Sequence, residues 1–172
     1  MKEEYLLVDG YNIIFCWSEL KELANKSLDI ARDKLINMLS NYQGVRQMNL
    51  ILVFDAYKVE GGLGSIIKAG GIYVVYTKEA ETADQYIERS THKLVKDNKV
   101  TVATSDGLEQ VIIMSKGALR MSANDLYEDV KLIANNIKEE ISTYKSVKNN
   151  MLMDNLDKEA YDFLEELRRK KG

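Results

Sequence analysis

The chain has 172 residues, a formal net charge of −3 and an apolar fraction of 45%, enough for one globular domain with a proper core. A single cysteine, Cys16, and a single histidine, His92, exclude an intramolecular disulfide and any Cys-rich or His-rich metal centre, and leave a Ser-His-Asp triad to one residue. No apolar run reaches the length of a membrane span, and a strand follows Met1-Lys2-Glu3-Glu4 almost at once, which argues against a signal peptide and for the cytoplasm.

Proline is absent, so glycine, asparagine and aspartate punctuate the chain. The first strand is read over Tyr5 to Val8, with Asp9-Gly10 turning the chain into a helical stretch from about Asn12 to Leu23. A second helix runs from about Leu28 to Tyr42, with Ile30, Leu35, Met38, Leu39 and Tyr42 at helical spacing and Ser27 as its N-cap. The second strand covers Asn49 to Phe54. Glu60-Gly61-Gly62-Leu63-Gly64 and then Gly70-Gly71 read as one long mobile loop. It is not a Walker loop, because no Gly-Lys-Ser/Thr follows.

The third strand is Ile72 to Tyr76. A helix follows from Thr82 to about Lys96, with Ile87, Leu94 and Val95 inward. The fourth strand, Val100 to Thr104, leads to a helix over Gly107 to Ser115 that stops at Gly117. A short fifth strand, Ala118 to Met121, precedes Ser122-Ala123-Asn124-Asp125, which has the form of a capping box. The helix it opens carries Leu126, Val130, Ile133, Ile137 and Ile141 on one face, and a terminal helix from Asp157 to Lys171 repeats the pattern with Ala160, Phe163, Leu164 and Leu167. Strands alternating with helices give a three-layer α/β domain with a mainly parallel, five-stranded sheet. The expected organisation is one domain over 1–172, with C-terminal helices from about 122 packed on it. Cys16 is expected as a small core residue, the aromatic residues, Trp17 and Tyr11 among them, mostly in the core or at its rim, and His92 at the surface or edge of its helix.

Three apolar runs end in an acid: Tyr5 to Val8 before Asp9, Leu50 to Phe54 before Asp55, and Val100 to Ser105 before Asp106. An apolar run closed by Asp is a buried parallel strand with a carboxylate at its carboxyl end, the edge where open α/β sheets bind ligands. Glu81 and Asp84, spaced i, i+3, share one face at the start of a helix. Each of these residues has an ordinary alternative: Asp9, Asn12 or Asp106 as helix caps, and Glu81 and Asp84 as partners of the helix dipole. The functional reading of Asn12, a neutral group able to donate and accept, is that it holds a water or phosphate oxygen. Their common placement on one edge favours a site, because carboxylates gathered there repel one another until a cation joins them. With no His or Cys set available, that cation is held by oxygen, which points to Mg²⁺ or Mn²⁺.

Asp9-Gly10-Tyr11-Asn12-Ile13, Phe54-Asp55-Ala56-Tyr57, Glu81-Thr82-Ala83-Asp84 and Thr104-Ser105-Asp106, in that order and spacing, resemble the NYN branch of the PIN-like nucleases, and within it the YacP-like group. The resemblance runs from Asp9 to about Asp125. It implies a strand order of 3-2-1-4-5, which makes Asp9 and Asp106 neighbours at the switch point. It also implies divalent-metal-dependent endoribonuclease activity. Asp9, Asp84 and Asp106 are the implied metal ligands, Asn12 and Ser105 their polar partners, and Asp55 and Glu81 additional acids of the site. The implied substrate is RNA, mRNA in particular, with the ribosome as the partner that presents it. No preference for DNA is implied.

The charge balance runs against strong intrinsic attraction to phosphate. The basic cluster is terminal, Arg168, Arg169, Lys170 and Lys171, while Lys58, Lys68 and Lys78 fall singly near the loops of the acidic edge. Lys58, Lys68, Arg168 and Arg169 are the expected contacts to RNA or a partner. Two other classes compete with the nuclease: a non-catalytic RNA- or ribosome-binding adaptor that keeps the fold, and a phosphoryl-accepting receiver or phosphatase-type domain. The Asp-x-Asp pattern of the latter is missing after the first strand.

Overall fold

The computed structural model describes residues 2–55, 64–154 and 166. The element order is β1 (Glu4–Asp9), α1 (Gly10–Cys16), α2 (Ser18–Lys26), α3 (Leu28–Arg46), β2 (Asn49–Phe54), β3 (Ser65–Ala69), β4 (Ile72–Tyr76), α4 (Ala83–Leu94), β5 (Lys99–Ala103), α5 (Gly107–Ser115), β6 (Leu119–Met121) and α6 (Ala123–Asp154). The sheet has six strands in the order β3-β4-β2-β1-β5-β6. All neighbours are parallel except β3 with β4. The expected five strands are therefore there in their expected order, and β3 is added as an antiparallel edge.

That added strand corrects the reading of 60–71 as one loop. Ser65 to Ala69 pairs with β4, and Ala69 lies opposite Ile72 with only Gly70 and Gly71 between them. Gly70 has φ of +61°, the left-handed conformation that a two-residue hairpin turn demands and glycine adopts freely. Gly61, Gly62, Leu63, Tyr57 and Lys58 lie outside the described residues, and so does the expected 157–171 helix, Arg168 and Arg169 included, apart from residue 166.

The chain divides into two compact units, Met1–Ile133 and Ala134–Gly172. In the first, alternation along the strands sends side chains to two layers. Leu7, Val53, Val75, Val100 and Val102 pack with Ala83 and Ile87 of α4 and Ile113 of α5. Val8, Leu52, Phe54 and Val74, one residue out of phase, are equally buried on the face that α1 and α3 cover. Burying each of these side chains contributes roughly 1.5–3 kcal/mol before entropy is counted. Within the second unit, α6 continues to Asp154 with Ile141 and Tyr144 exposed.

Three local readings change. The stretch 12–23 is two helices, because Trp17 takes an extended conformation (φ −84°, ψ 120°). The kink buries its indole, which donates to the Ala123 carbonyl at 2.8 Å and packs on Tyr127. Cys16, expected in the core, is exposed beside that kink. The inward stripe of α3 keeps the expected Leu35, Leu39 and Tyr42 but begins at Ala31, so Ile30, expected inward, faces solvent. Leu94 and Val95 pack on the core as expected, and His92 is exposed.

Candidate metal centre at the carboxyl edge of the sheet

Strand parity decides where the acids point. Asp9 is two residues beyond Leu7 and Asp55 two beyond Val53, so both leave the sheet on the face covered by α4 and α5. The chain can turn away after Asp9 because Gly10 has no side chain: a Cβ there would collide with the Phe54 ring. Phe54 in turn lies edge-on to Tyr11 at 5.0 Å and stacks on Tyr76 at 5.7 Å. Tyr11 also takes a hydrogen bond of 2.8 Å from Arg32, a buried cation held by Asp29 as well. This aromatic and guanidinium wedge fixes the backbone from which Asp9 and Asn12 project.

Carboxylate oxygens of Asp9, Asp84 and Glu109 all lie within 4.8 Å of one another. They come from the end of β1 and the first turns of α4 and α5. Asp84 is held in place by a capping box, in which the Thr82 hydroxyl accepts from the Gln85 N–H and the Gln85 side chain accepts from the Thr82 N–H. Asp55 does not reach into the trio. Its Oδ1 accepts a hydrogen bond of 2.7 Å from the Ala83 N–H, which ties the start of α4 to the end of β2.

Asp106 sits beside the trio and spends Oδ1 on the Leu108 and Glu109 N–H groups at 2.9 and 3.3 Å, as the N-cap of α5. Glu81 turns along the helix that it precedes to pair with Arg89 at 2.7 Å. Asn12 Oδ1 accepts from the Ser105 N–H and the Ser105 hydroxyl, both at 2.7 Å, and the Asn12 N–H donates to Asp9 Oδ1 at 3.2 Å. Lys68, on β3, stands over the Tyr73 ring on that strand's neighbour.

Glu109 is the member that strand-end reasoning missed. It is only 7% exposed, and neither carboxylate oxygen has a hydrogen-bond partner. Its signal was nonetheless present. Glu109 lies four residues before Ile113 in a mainly apolar helix, and those two are the buried residues of α5. An acid on the inward face of a helix next to a strand-end Asp marks a site.

The electrostatics agree with the packing. Burial pushes the Asp9 carboxyl up to about 7, against the pull of the Asn12 N–H, with the Asp84 and Asp55 charges adding to the rise. Burial likewise raises Asp84, helped by Asp106 and Asp55. Glu109 is pushed up to about 8, chiefly by burial; the Thr104 hydroxyl opposes this from a geometry short of a hydrogen bond, and Asp84, Asp9 and Asp106 add to the rise. Three acids whose carboxyls are all pushed upward by burial and by neighbouring carboxylates form a candidate site for a positive charge. An all-oxygen donor set fits a hard divalent cation such as Mg²⁺ or Mn²⁺.

Comparison with known proteins identifies the relatives of this chain. The model of the YacP-like NYN domain matches residues 6–169. The uncharacterised protein YacP of Bacillus subtilis (strain 168) is 40% identical over 146 residues, which cover 84% of this chain and 85% of that protein. The crystal structure of Rae1 (YacP) from Bacillus subtilis superposes with a TM-score of 0.74 at 38% identity, covering 98% of this chain and 95% of that one. Its W164L mutant gives 0.70 at 39% identity, over 83% of each. A family model spanning nearly the whole chain, a solved relative and an acidic edge in the expected strand order lead to one conclusion: this chain belongs to the YacP-like NYN domain family, within the PIN-like nuclease superfamily.

Proposed function

We propose that the chain is a divalent-metal-dependent endoribonuclease that hydrolyses phosphodiester bonds of RNA, and that residues 1–172 act as a single nuclease domain. The family supports RNA as substrate and a nuclease as the class of protein. The observation that carries the metal dependence is the convergence of Asp9, Asp84 and Glu109 within 4.8 Å, two of them buried and one of those with no donor to satisfy it. An adaptor that never bound a cation would keep this repulsion for no return.

Asp9, Asp84 and Glu109 would hold Mg²⁺ or Mn²⁺, and the Asp106 charge, which acts on both Asp84 and Glu109, would add to the field that holds the cation. The bound cation would supply Lewis acidity, making water a nucleophile at neutral pH and offsetting charge on the phosphodiester. The protein's own residues do the rest. Burial keeps bulk water from the carboxylates of Asp9 and Glu109, and Asp55 and the Thr82 cap fix the helix that carries Asp84. The mRNA, in the cytoplasm and on the ribosome, is the substrate setting that the family resemblance favours. Arg168, Arg169, Lys58 and Lys68 are the proposed contacts to it.

The test is cleavage of a single-stranded RNA with Mn²⁺, with EDTA, and by Asp84→Asn and Asp106→Asn. Cleavage that needs Mn²⁺ and is lost in both variants, with the fold kept, is the expected result. Retained cleavage in both, in material free of contaminating nuclease, would overturn the site. A parallel Mn²⁺ titration by calorimetry should show binding lost in Asp9→Asn. Equal binding by the two proteins would remove Asp9 from the metal set.

A further inference from the structure

The proposed site is almost wholly acidic. Asp9, Asp84, Glu109 and Asp106 line it, and a phosphodiester approaching them brings more negative charge. A cation offsets part of this, but a phosphate also needs hydrogen-bond donors to fix which oxygen faces which group. The groups that supply donors in such sites are basic side chains, backbone N–H groups and neutral amides. Here the Glu109 and Leu108 N–H groups are spent on Asp106, and the Asn12 N–H on Asp9.

The Asn12 side chain is a neutral amide beside these acids, and its orientation is determined by chemistry. A backbone N–H can only donate, so the amide atom that meets the Ser105 N–H at 2.7 Å must be the carbonyl oxygen. The Ser105 hydroxyl donates to the same oxygen, also at 2.7 Å. Both lone pairs of Oδ1 are thereby taken. The amide nitrogen, with two N–H groups, has no partner among the described residues. Ser105 and Asn12 are 93 residues apart in sequence, yet each adjoins an acid of the site: Ser105 precedes Asp106, and Asn12 holds Asp9 through its backbone. Fold stability alone would be served by either hydrogen bond. Two on one oxygen do something further, since they prevent the amide from flipping.

We propose that Ser105 is a positioning residue that locks the Asn12 amide with its nitrogen turned outward, and that Asn12 Nδ2 donates a hydrogen bond to a non-bridging phosphate oxygen of bound RNA. The assignment rests on the nuclease reading above and gives that site its phosphate donor. Asn12 is then the neutral group that selects a phosphodiester in a field of carboxylates. An acid at this position would keep the acceptor for Ser105 and lose the donor.

The experiment measures binding without turnover. A fluorescein-labelled single-stranded oligoribonucleotide is titrated with protein by anisotropy, with Ca²⁺ in place of the activating metal. Wild type is compared with Asn12→Asp, Ser105→Ala and Ser105→Thr, and each variant is checked by thermal melting and for Ca²⁺ binding. Asn12→Asp should weaken RNA binding about tenfold or more while Ca²⁺ binding is kept, since a hydrogen bond to a charged group is lost and a charge gained. Ser105→Ala, which keeps one of the two donors onto Oδ1, should weaken it about threefold to tenfold, and Ser105→Thr should restore it. In wild type the Asn12 side-chain amide protons should shift in ¹⁵N–¹H spectra on RNA addition. Equal RNA binding by wild type and Asn12→Asp would overturn the donor, and a Thr variant that melts normally but binds as poorly as Ala would overturn the lock. Absence of RNA binding by wild type at low salt, where phosphate contacts are strongest, would overturn the phosphate donor, and the nuclease reading falls with it only if Mn²⁺-dependent cleavage is absent as well.

Discussion

Asp55 and Ala83 are joined by a hydrogen bond of 2.7 Å from the Ala83 N–H to Asp55 Oδ1, so an acid at the end of β2 acts as a cap for a helix 28 residues later in the chain. The bond stitches the strand edge to α4 one residue before Asp84. Asp55 thus serves the trio through Asp84's backbone rather than by reaching into it.

Replacing Asp55 with Ala removes an acceptor from a helix N-terminus and should cost about 1 kcal/mol of stability. Asp55→Asn keeps an acceptor oxygen and should cost less than half of that. Urea denaturation of the three proteins checks the order. If Ala and Asn variants unfold at the same midpoint as wild type, the bond contributes nothing.

The second relationship is steric. Gly10 follows Asp9 directly, and a Cβ on it would enter the Phe54 ring, which is fully buried. Gly10→Ala should therefore lower stability by about 1–3 kcal/mol through overpacking. Phe54→Leu alone leaves a gap and also destabilises, but the double variant should be more stable than the sum of the two losses predicts. Strict additivity in chemical denaturation would mean that the two residues do not compete for space.

Much of this edge was legible in the sequence because two periodicities carry it. Apolar runs that stop at Asp9 and Asp55 fix both the strand and, by parity, the face from which the acid leaves. The strand order 3-2-1-4-5 followed from the family resemblance, and the five mutually parallel strands β4-β2-β1-β5-β6 keep it. What the sequence concealed is side-chain choice. Asp106 and Glu109 are both acids in one α5 opening, and nothing in their order says that Asp106 commits an oxygen to the helix N–H groups while Glu109 turns inward. Glu81 and Asp84 pose the same ambiguity, resolved by Arg89 further along α4, which draws Glu81 away. Edge strand β3 was hidden for a different reason: its exposed residues Ile66, Ile67 and Lys68 show no inward alternation, and only the Gly70-Gly71 turn betrays the hairpin.

Acidity gives a pH prediction with a definite sign. Asp9 is raised to about 7 and Glu109 to about 8, from ordinary carboxyl values near 4. In the metal-free folded protein these groups bind protons that the unfolded chain has released, so their stabilising contribution is full below about pH 4 and is lost as pH rises through 7 and 8. Set against carboxylates elsewhere that favour the opposite trend, the metal-free protein should melt higher at pH 6 than at pH 8.5. Mn²⁺ should restore the melting temperature most at the higher pH, where the carboxylates are ionised and ready to bind it. Thermal melts in EDTA and in Mn²⁺ at both pH values check this. A Mn²⁺ gain that is equal at pH 6 and 8.5 would contradict it.

Glu109→Gln separates the roles of charge and shape at the same place. The amide has the volume of the acid but no titrating proton, so the metal-free protein should lose the pH-dependent share of its stability that Glu109 supplies. Mn²⁺ affinity should fall about tenfold or more, because a buried carboxylate ligand has become a neutral one. Calorimetry gives the affinity and melting gives the stability. Unchanged Mn²⁺ affinity would place Glu109 outside the metal set and leave its burial unexplained.

Substrate delivery is the last consequence of composition. With net charge −3 and, among the described residues, Lys68 alone of the proposed RNA contacts, few cations are available to neutralise phosphates. The slope of log affinity against log salt reports the number of phosphates contacted, at about −0.7 per contact for a single strand. Binding to free RNA should therefore be weak, with a shallow slope of about −1 to −2. A nuclease that holds naked RNA so loosely gains from a partner that raises the local concentration of substrate, and a translating ribosome would do so for mRNA. Cleavage of one mRNA, naked and during translation, at matched enzyme concentration, measures that gain. Efficient cutting of naked RNA at near-physiological salt, with no increase on translation, would show that the acidic surface is no obstacle and that no partner is needed.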